Sequence, residues 1–81
     1  MRVKVRLFAR LRELAGRGEY ECEVPAGASV DDVWQAVTKA HGALREFGSA
    51  ISCAVNADFA RRTARVQEGD EVAFLPPVSG G

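Results

Sequence analysis

The sequence has few of the residues from which metal centres, disulfide scaffolds and nucleophilic active sites are built. Its 81 residues include two cysteines and one histidine. Cys22 and Cys53 are too few for a disulfide framework and lack C-x-x-C spacing. Both fall at inward positions of alternating segments, so we predict buried, unreactive thiols. His41 has no partner residues for catalysis or metal binding, and we place it at a solvated helix end. We therefore predict no metal site.

A charge excess and a long apolar run are also missing. Lys and Arg total 11, and Asp and Glu total 11, which argues against a nucleic-acid-binding protein. No apolar run approaches the roughly 20 residues of a membrane span, and no apolar segment follows the first charges as in a secretory signal. We expect a cytoplasmic protein that binds neither nucleic acid nor membranes and forms a single domain.

Four segments alternate polar and apolar residues, as half-buried strands do. They cover residues 2–8, 19–24, 51–55 and 71–75. A brief further strand is predicted at Phe59-Ala60. Residues 9–15 contain good helix formers and stop at Gly16, which predicts a short helix.

The main helix has a recognisable start and an apolar face. Ser29 is its predicted N-cap, with Asp32 three residues later as an acidic variant of the capping box. Apolar residues then recur at i, i+3, i+4 and i+7, namely Val30, Val33, Trp34 and Val37. Gly42 is expected to end the helix, and residues 43–50 are expected to form a loop.

Basic residues cluster near the start of the chain, at Arg2, Lys4, Arg6, Arg10 and Arg12. If the first two strands pair antiparallel, three of these cations face glutamates: Arg2 faces Glu23, Lys4 faces Glu21 and Arg6 faces Glu19. Opposite charges across strands stabilise the pair by roughly 0.2–1 kcal/mol each and help to fix its register. We favour this interpretation over an anion-binding site.

The chain ends in Leu75-Pro76-Pro77-Val78-Ser79-Gly80-Gly81. The two prolines end the sheet and favour an extended path. From there the tail reaches roughly 20 Å. The two glycines, which lack a Cβ, fit a narrow channel in a partner and leave the terminal carbonyl open to a nucleophile. Such a tail suits a chain whose α-carboxylate, on Gly81, is delivered into the active sites of other proteins.

Three segments resemble the small, sulfur-carrying subunit of molybdopterin synthase. They are Phe-Ala-Arg-Leu-Arg-Glu-Leu at 8–14, Ala-Val-Asn at 54–56, and Glu-Gly-Asp-Glu-Val-Ala-Phe-Leu-Pro-Pro-Val-Ser-Gly-Gly at 68–81. The resemblance spans the whole chain and implies an α+β, ubiquitin-like β-grasp fold. In it, one main helix packs on one face of a mixed sheet, and the last strand lies parallel to the first. Residues 1–75 form the domain and residues 76–81 the extended tail.

The resemblance also implies a sulfur carrier that has no catalytic residues of its own and binds no cofactor. An E1-like enzyme uses ATP to adenylate the carboxylate of Gly81. Sulfur from a donor protein then replaces the AMP, which leaves a C-terminal thiocarboxylate. The tail then enters the large synthase subunit of a heterotetramer, where the sulfur attacks a cyclic pyranopterin precursor. The residues inserted with Gly81 are Pro76, Pro77, Val78, Ser79 and Gly80.

Strand parity predicts a docking surface for these partners. Phe8 and Leu75 lie on the face opposite to the core residues of the first and last strands, beside the root of the tail. Phe59 joins them from the short strand. We call Phe8, Phe59 and Leu75 the docking surface and predict that Phe8 and Leu75 are substantially exposed, with Phe59 near them. The alternative is that Phe8 turns inward at the start of the short helix.

Two other functions use the same activated glycine. A thiazole-pathway sulfur carrier shares the fold and the Gly-Gly end, but that family is usually shorter and lacks a segment like residues 8–14. A ubiquitin-like modifier that conjugates to lysines is not excluded by the tail. A bare interaction domain would have no need of the Pro-Pro-Val-Ser-Gly-Gly ending.

Overall fold

The structure is a computed structural model that describes residues 1–48 and 50–77. Its elements are β1 (Arg2–Leu7), α1 (Ala9–Ala15), β2 (Glu19–Glu23), α2 (Val30–Ala40), a 3₁₀ helix (Gly42–Phe47), β3 (Ser52–Val55), β4 (Asp58–Ala60) and β5 (Glu71–Leu75). The five strands form one sheet in the order β2-β1-β5-β3-β4. β1 and β5 are parallel, and the other neighbours are antiparallel. The predicted β-grasp arrangement is confirmed. The tail residues Val78, Ser79, Gly80 and Gly81 lie outside the described part.

The pairing of β1 with β2 has the register that the charges predict. Arg2 lies opposite Glu23, Lys4 opposite Glu21 and Arg6 opposite Glu19. The guanidinium of Arg6 lies 3.6 Å from the Glu19 carboxylate, and that of Arg2 lies 3.4 Å from Glu23. A slip of one residue would turn the valines of β1 to solvent, so burial and charge select the same register.

Helix α2 packs its apolar stripe against the sheet. Ser29 and Asp32 form the predicted capping box: the Asp32 N–H donates to the Ser29 hydroxyl, and the Ser29 N–H donates to the Asp32 carboxylate. Val37 is fully buried, and the Trp34 ring lies 5.0 Å from that of Phe74 on β5. In the described part of the chain, no helix is long and apolar enough to cross a membrane.

The region after α2 differs from the prediction. The helix ends at Ala40, and residues 42–47 form a 3₁₀ helix where a loop was expected. Leu44 is fully buried there, so the chain turns back onto the core. His41 is the C-cap residue of α2, so its predicted place at the helix end is confirmed. It is half-buried and lies edge-on to Tyr20, with 5.5 Å between the ring centroids, so it is less solvated than expected.

The two cysteines occupy different environments. Cys53, on β3, is buried as predicted, but Cys22, on β2, is half-buried. Both side chains face the helix layer, yet β2 is an edge strand with a neighbour on one side only. The prediction of a buried Cys22 was wrong because alternation gives the face of a residue and not its strand's position in the sheet.

Candidate functional site

The sheet face turned away from α2 divides into a charged half and an apolar half. The charged half comprises the outward residues of β2 and β1, which are Glu19, Glu21, Glu23, Arg2, Lys4 and Arg6. The apolar half follows from β5 to β4 and comprises Ala73, Leu75, Ala54 and Phe59, with Phe8 just beyond the end of β1. All three residues of the docking surface therefore lie on the same face of the sheet.

Small residues separate the members of the docking surface. Ala54 lies opposite Ala73 on one side and opposite Phe59 on the other. Because neighbouring strands are about 4.8 Å apart, Phe59 lies roughly 10 Å from β5 across this row. Leu75 lies opposite Ser52 in β3. The result is a shallow apolar area formed by alanines. Phe59 borders it at the sheet edge, and Leu75 borders it near the tail.

Phe8 is held at the end of the sheet by its backbone. It has extended dihedrals, with φ −120° and ψ 155°, and its N–H donates to the Phe74 carbonyl at 3.3 Å. Ala9 follows with φ +51°, a left-handed conformation that turns the chain from the strand into α1. The Arg6 guanidinium carbon lies 5.2 Å from the centroid of the Phe8 ring. Because Arg6 belongs to the charged half of this face, Phe8 lies on the same side and the inward alternative is wrong.

The exposure of the docking surface is uneven. Phe59 is 85% exposed. Phe8 and Leu75 are half-buried, so the prediction of substantial exposure was wrong for both. Arg6 lies over Phe8, and β5 is an interior strand with neighbours on both sides of Leu75.

Sequence reasoning missed Ala54 and Ala73 as part of this surface. Strand alternation does place both alanines on the outward face, because Ala73 lies two residues before Leu75 and Ala54 lies between two inward residues of β3. Alanine seldom marks an interaction surface, and its contribution here depends on the strand order. Arg6 was assigned only to cross-strand pairing, and its contact with Phe8 was missed as well.

The tail begins in the middle of the sheet. Strand β5 pairs with β1 on one side and with β3 on the other, and it ends at Leu75. Pro76 is half-buried and Pro77 is exposed. The segment that leads to Gly81 therefore starts from a strand anchored on both edges.

The described residues do not favour nucleophilic or metal chemistry. Burial raises the pKa of the Cys53 thiol, and Asp31 adds to this effect while Arg62 opposes it. Burial likewise raises the pKa of the Cys22 thiol, with a further contribution from Glu23. A raised pKa lowers the thiolate fraction at neutral pH, and the thiolate is the reactive form. Within residues 1–48 and 50–77, no group of three or more metal-ligating side chains is present.

Comparison with known families identifies the family of this chain. The model of the ThiS family matches residues 5–81, from β1 through the end of the tail. The chain belongs to the ThiS family. Its match to the family includes the whole of the docking surface and the Gly-Gly ending.

Individual relatives carry more specific names. The molybdopterin synthase sulfur carrier subunit of Chlamydomonas reinhardtii is 37% identical over 83 residues, covering 100% of both chains. The crystal structure of small archaeal modifier protein 1 from Haloferax volcanii is similar with a TM-score of 0.87 and 33% identity, covering 95% of this chain and 98% of that one. A complex of subunits 1 and 2 of molybdopterin-converting factor from Helicobacter pylori contains a chain with a TM-score of 0.68. That likeness covers 100% of both chains at 22% identity and shows the fold alone.

Proposed function

We propose that this chain is the sulfur carrier of molybdopterin synthase and that the carboxylate of Gly81 carries the sulfur. The observation that supports this most is the sequence Pro76-Pro77-Val78-Ser79-Gly80-Gly81 directly after an interior strand, beside an apolar surface. The full-length similarity to a chain named as such a carrier supports the same function.

The proposed chemistry needs a free α-carboxylate and nothing further from this chain. A carboxylate oxygen of Gly81 attacks the α-phosphorus of ATP in an E1-like enzyme, forming the acyl adenylate and releasing pyrophosphate. Hydrosulfide supplied by a sulfur donor protein then attacks the acyl carbon and displaces AMP, which leaves a thiocarboxylate and releases a proton. In the large synthase subunit, this sulfur attacks the cyclic pyranopterin precursor. Hydrolysis of the resulting thioester leaves the sulfur on the pterin and returns the carboxylate of Gly81, and two such transfers give the dithiolene. ATP is therefore a substrate of the partner and not a cofactor of the carrier.

Glycines at the tip suit these steps. A residue without a Cβ passes a narrow channel and leaves the carbonyl accessible to nucleophiles. The prolines upstream reduce the conformational freedom of the tail before it binds, which lowers the entropy lost on insertion. The catalytic groups are supplied by the partners, and the chain is not an enzyme on its own.

The docking surface is proposed to bind the large subunit of the synthase, in a heterotetramer, and in turn the activating enzyme. Phe59 projects into solvent while Phe8 and Leu75 lie half-buried beside the tail root. An exposed aromatic next to small apolar residues is typical of a protein-binding site. In the Helicobacter pylori complex that contains a chain of the same fold, subunit 1 of molybdopterin-converting factor is bound to subunit 2.

Reconstitution of the synthase tests this function. The carrier is activated with the E1-like enzyme, ATP and a sulfur donor, then mixed with the large subunit and the pyranopterin precursor. Dithiolene formation is expected with the full chain and not with a variant that lacks Gly81. This variant should stay folded, because a terminal residue beyond the last strand contributes little to the core. Product formation by the truncated chain would contradict the proposal.

The similarity to small archaeal modifier protein 1 favours protein modification as a second function. In that case a lysine amine of another protein attacks the acyl adenylate and forms an isopeptide bond with release of AMP. Incubation of the activated chain with cell extract, with and without the sulfur donor, distinguishes the two. Conjugates linked through Gly81 would support the modifier function.

A further inference from the structure

A cleft opens beside the docking surface, at the end of β1. Its volume is about 270 Å³, and it is lined by Arg6, Leu7, Phe8, Arg12, Gly18 and Glu19. One wall of the cleft, Phe8, is also a member of the docking surface. A partner that contacts Phe8 therefore also contacts the lining of this cleft.

Arg12 differs from most other cations near the start of the chain. The guanidinium of Arg10 pairs with Glu13 at 3.2 Å, and those of Arg2 and Arg6 pair with glutamates. Among the described residues near the start of the chain, Lys4, Arg12 and Arg17 take part in no ion pair, and Arg17 lies over the Tyr20 ring at 4.8 Å. Lys4 lies on the charged half of the sheet, opposite Glu21.

Two neighbours set the charge and position of Arg12 in the cleft. Glu19 lies on the same wall, but its carboxylate is engaged by Arg6 at 3.6 Å. Gly18 lies against the arm of Arg12: a Cβ at residue 18 would be 3.0 Å from Nε and 3.1 Å from Cδ of Arg12. The absence of a Cβ at residue 18 therefore leaves room for the Arg12 side chain in the cleft. Because Glu19 is paired with Arg6, it does not neutralise the charge of Arg12.

We propose that Arg12 binds an aspartate or glutamate side chain of the partner that receives the tail. This inference rests on the proposed function, because it places the partner over Phe8. The planar guanidinium matches the two oxygens of a carboxylate, and such a pair strengthens when a partner excludes water. Phe8, which lines the cleft, is also a member of the docking surface, so a carboxylate that reaches Arg12 belongs to the docked protein and is not a free phosphate. The same contact fixes the rotation of the partner about the docking surface and speeds its association.

The test measures binding of the large synthase subunit to four variants at low and at high ionic strength. At low ionic strength, Arg12→Gln is expected to weaken binding about tenfold and Arg12→Glu more than that, whereas the control Arg10→Gln changes it by less than about twofold. These differences should shrink at high ionic strength, because salt screens the pair. Gly18→Ala, which displaces the guanidinium and keeps its charge, should lie between wild type and Arg12→Gln. Melting temperatures should be unchanged for the arginine variants, since both side chains are exposed.

A Phe59→Asp variant distinguishes a failure of the proposed Arg12 contact from a failure of the proposed docking surface. If Phe59→Asp weakens binding while Arg12→Glu binds as tightly as wild type at low ionic strength, the carboxylate contact is wrong and the docking surface stands. If neither variant weakens binding, the docking surface is wrong as well, and this inference is lost with it. An effect of Arg12→Glu that does not change with ionic strength would also overturn the ion pair.

Discussion

The N–H of Phe8 donates a hydrogen bond to the carbonyl of Phe74, with 3.3 Å between nitrogen and oxygen. This bond joins a residue of the docking surface to the strand that carries the tail, one residue before that strand ends. A partner that contacts Phe8 and Leu75 thereby also positions the start of the tail. In the function proposed above, docking and delivery of Gly81 therefore depend on the same small part of the fold.

Charged substitutions in the docking surface should weaken binding more than they reduce stability. Phe59→Asp is expected to cost about 2 kcal/mol or more in affinity for the large subunit, the scale of an interface hot spot. It should leave the melting temperature nearly unchanged, because Phe59 is 85% exposed. Phe8→Asp and Leu75→Asp should weaken binding similarly and also cost about 1 kcal/mol of stability, because both residues are half-buried. Calorimetry measures the binding, and circular dichroism measures the melting.

Val37→Ala is the matched control for these variants. Val37 is fully buried on α2, so its truncation should lower the free energy of unfolding by about 1–3 kcal/mol through the cavity that it leaves. Binding by the folded fraction should be unchanged. If Phe8→Asp unfolds the protein instead, Phe8 belongs to the core and not to the docking surface.

A second prediction concerns the ion pair between Arg62 and Asp31. Arg62 Nε donates to Asp31 Oδ1 at 2.9 Å, and Nη1 donates to the Gly48 carbonyl at 3.1 Å. The side chain therefore ties the start of α2 to the end of the 3₁₀ helix. Arg62→Gln should cost about 1 kcal/mol, since it leaves the partly exposed Asp31 carboxylate without its partner while the Gly48 carbonyl keeps the hydrogen bond from Trp34 Nε1. Arg62→Lys should restore only part of that loss.

Urea denaturation measures these differences, with Arg10→Gln as the control. Arg10 and Glu13 form an exposed pair, whose loss should cost less than about 0.5 kcal/mol. An Arg62→Gln variant as stable as Arg10→Gln would show that the Arg62 contacts do not hold the two helices together.

The parts of this fold that the sequence predicted depend on local periodicity. Alternation and opposite charges along residues 2–7 and 19–23 were enough to place Arg6 opposite Glu19. The spacing of Ser29 and Asp32 was enough to locate the start of α2. Periodicity indicates on which face of a strand or helix a side chain lies, and for most residues that face was predicted correctly.

What periodicity does not give is the position of a strand within the sheet. Cys22 was expected to be buried, but it lies on an edge strand, and Leu75 was expected to be exposed, but it lies on an interior strand. The 3₁₀ helix was missed because Leu44, its one buried residue, makes no pattern of its own. At the candidate site, the face shared by Phe8, Phe59 and Leu75 was predictable, whereas the contact between Arg6 and Phe8 depends on side-chain packing.

A third prediction concerns Tyr20 and alkaline pH. The Tyr20 hydroxyl is buried and has no hydrogen-bond partner among the described residues. Burial raises the pKa of Tyr20 to about 12, with a contribution from Cys22 that Arg17 opposes. In the unfolded chain this pKa is about 10. Between these values the unfolded chain binds fewer protons than the folded one, so stability falls as pH rises.

Tyr20→Phe removes both the unpaired hydroxyl and its titration. The variant should be as stable as wild type or more stable at neutral pH, because a buried hydroxyl without a partner is unfavourable. Its stability should also decline less steeply through the alkaline range. Urea denaturation of both proteins across that range is the measurement, and the two cysteines are common to both. Identical declines would show that Tyr20 ionises as freely in the folded protein as in the unfolded chain.

The central claim is that sulfur is carried on the α-carboxylate of Gly81, and intact mass spectrometry tests it most directly. The protein is incubated with its E1-like activating enzyme, ATP and a sulfur source, then weighed and fragmented. We predict that one oxygen is replaced by one sulfur, that the change lies on Gly81, and that a variant with Cys22→Ala and Cys53→Ala undergoes it too. An unchanged mass in the presence of a competent activating enzyme, or sulfur located on either cysteine, would contradict the account.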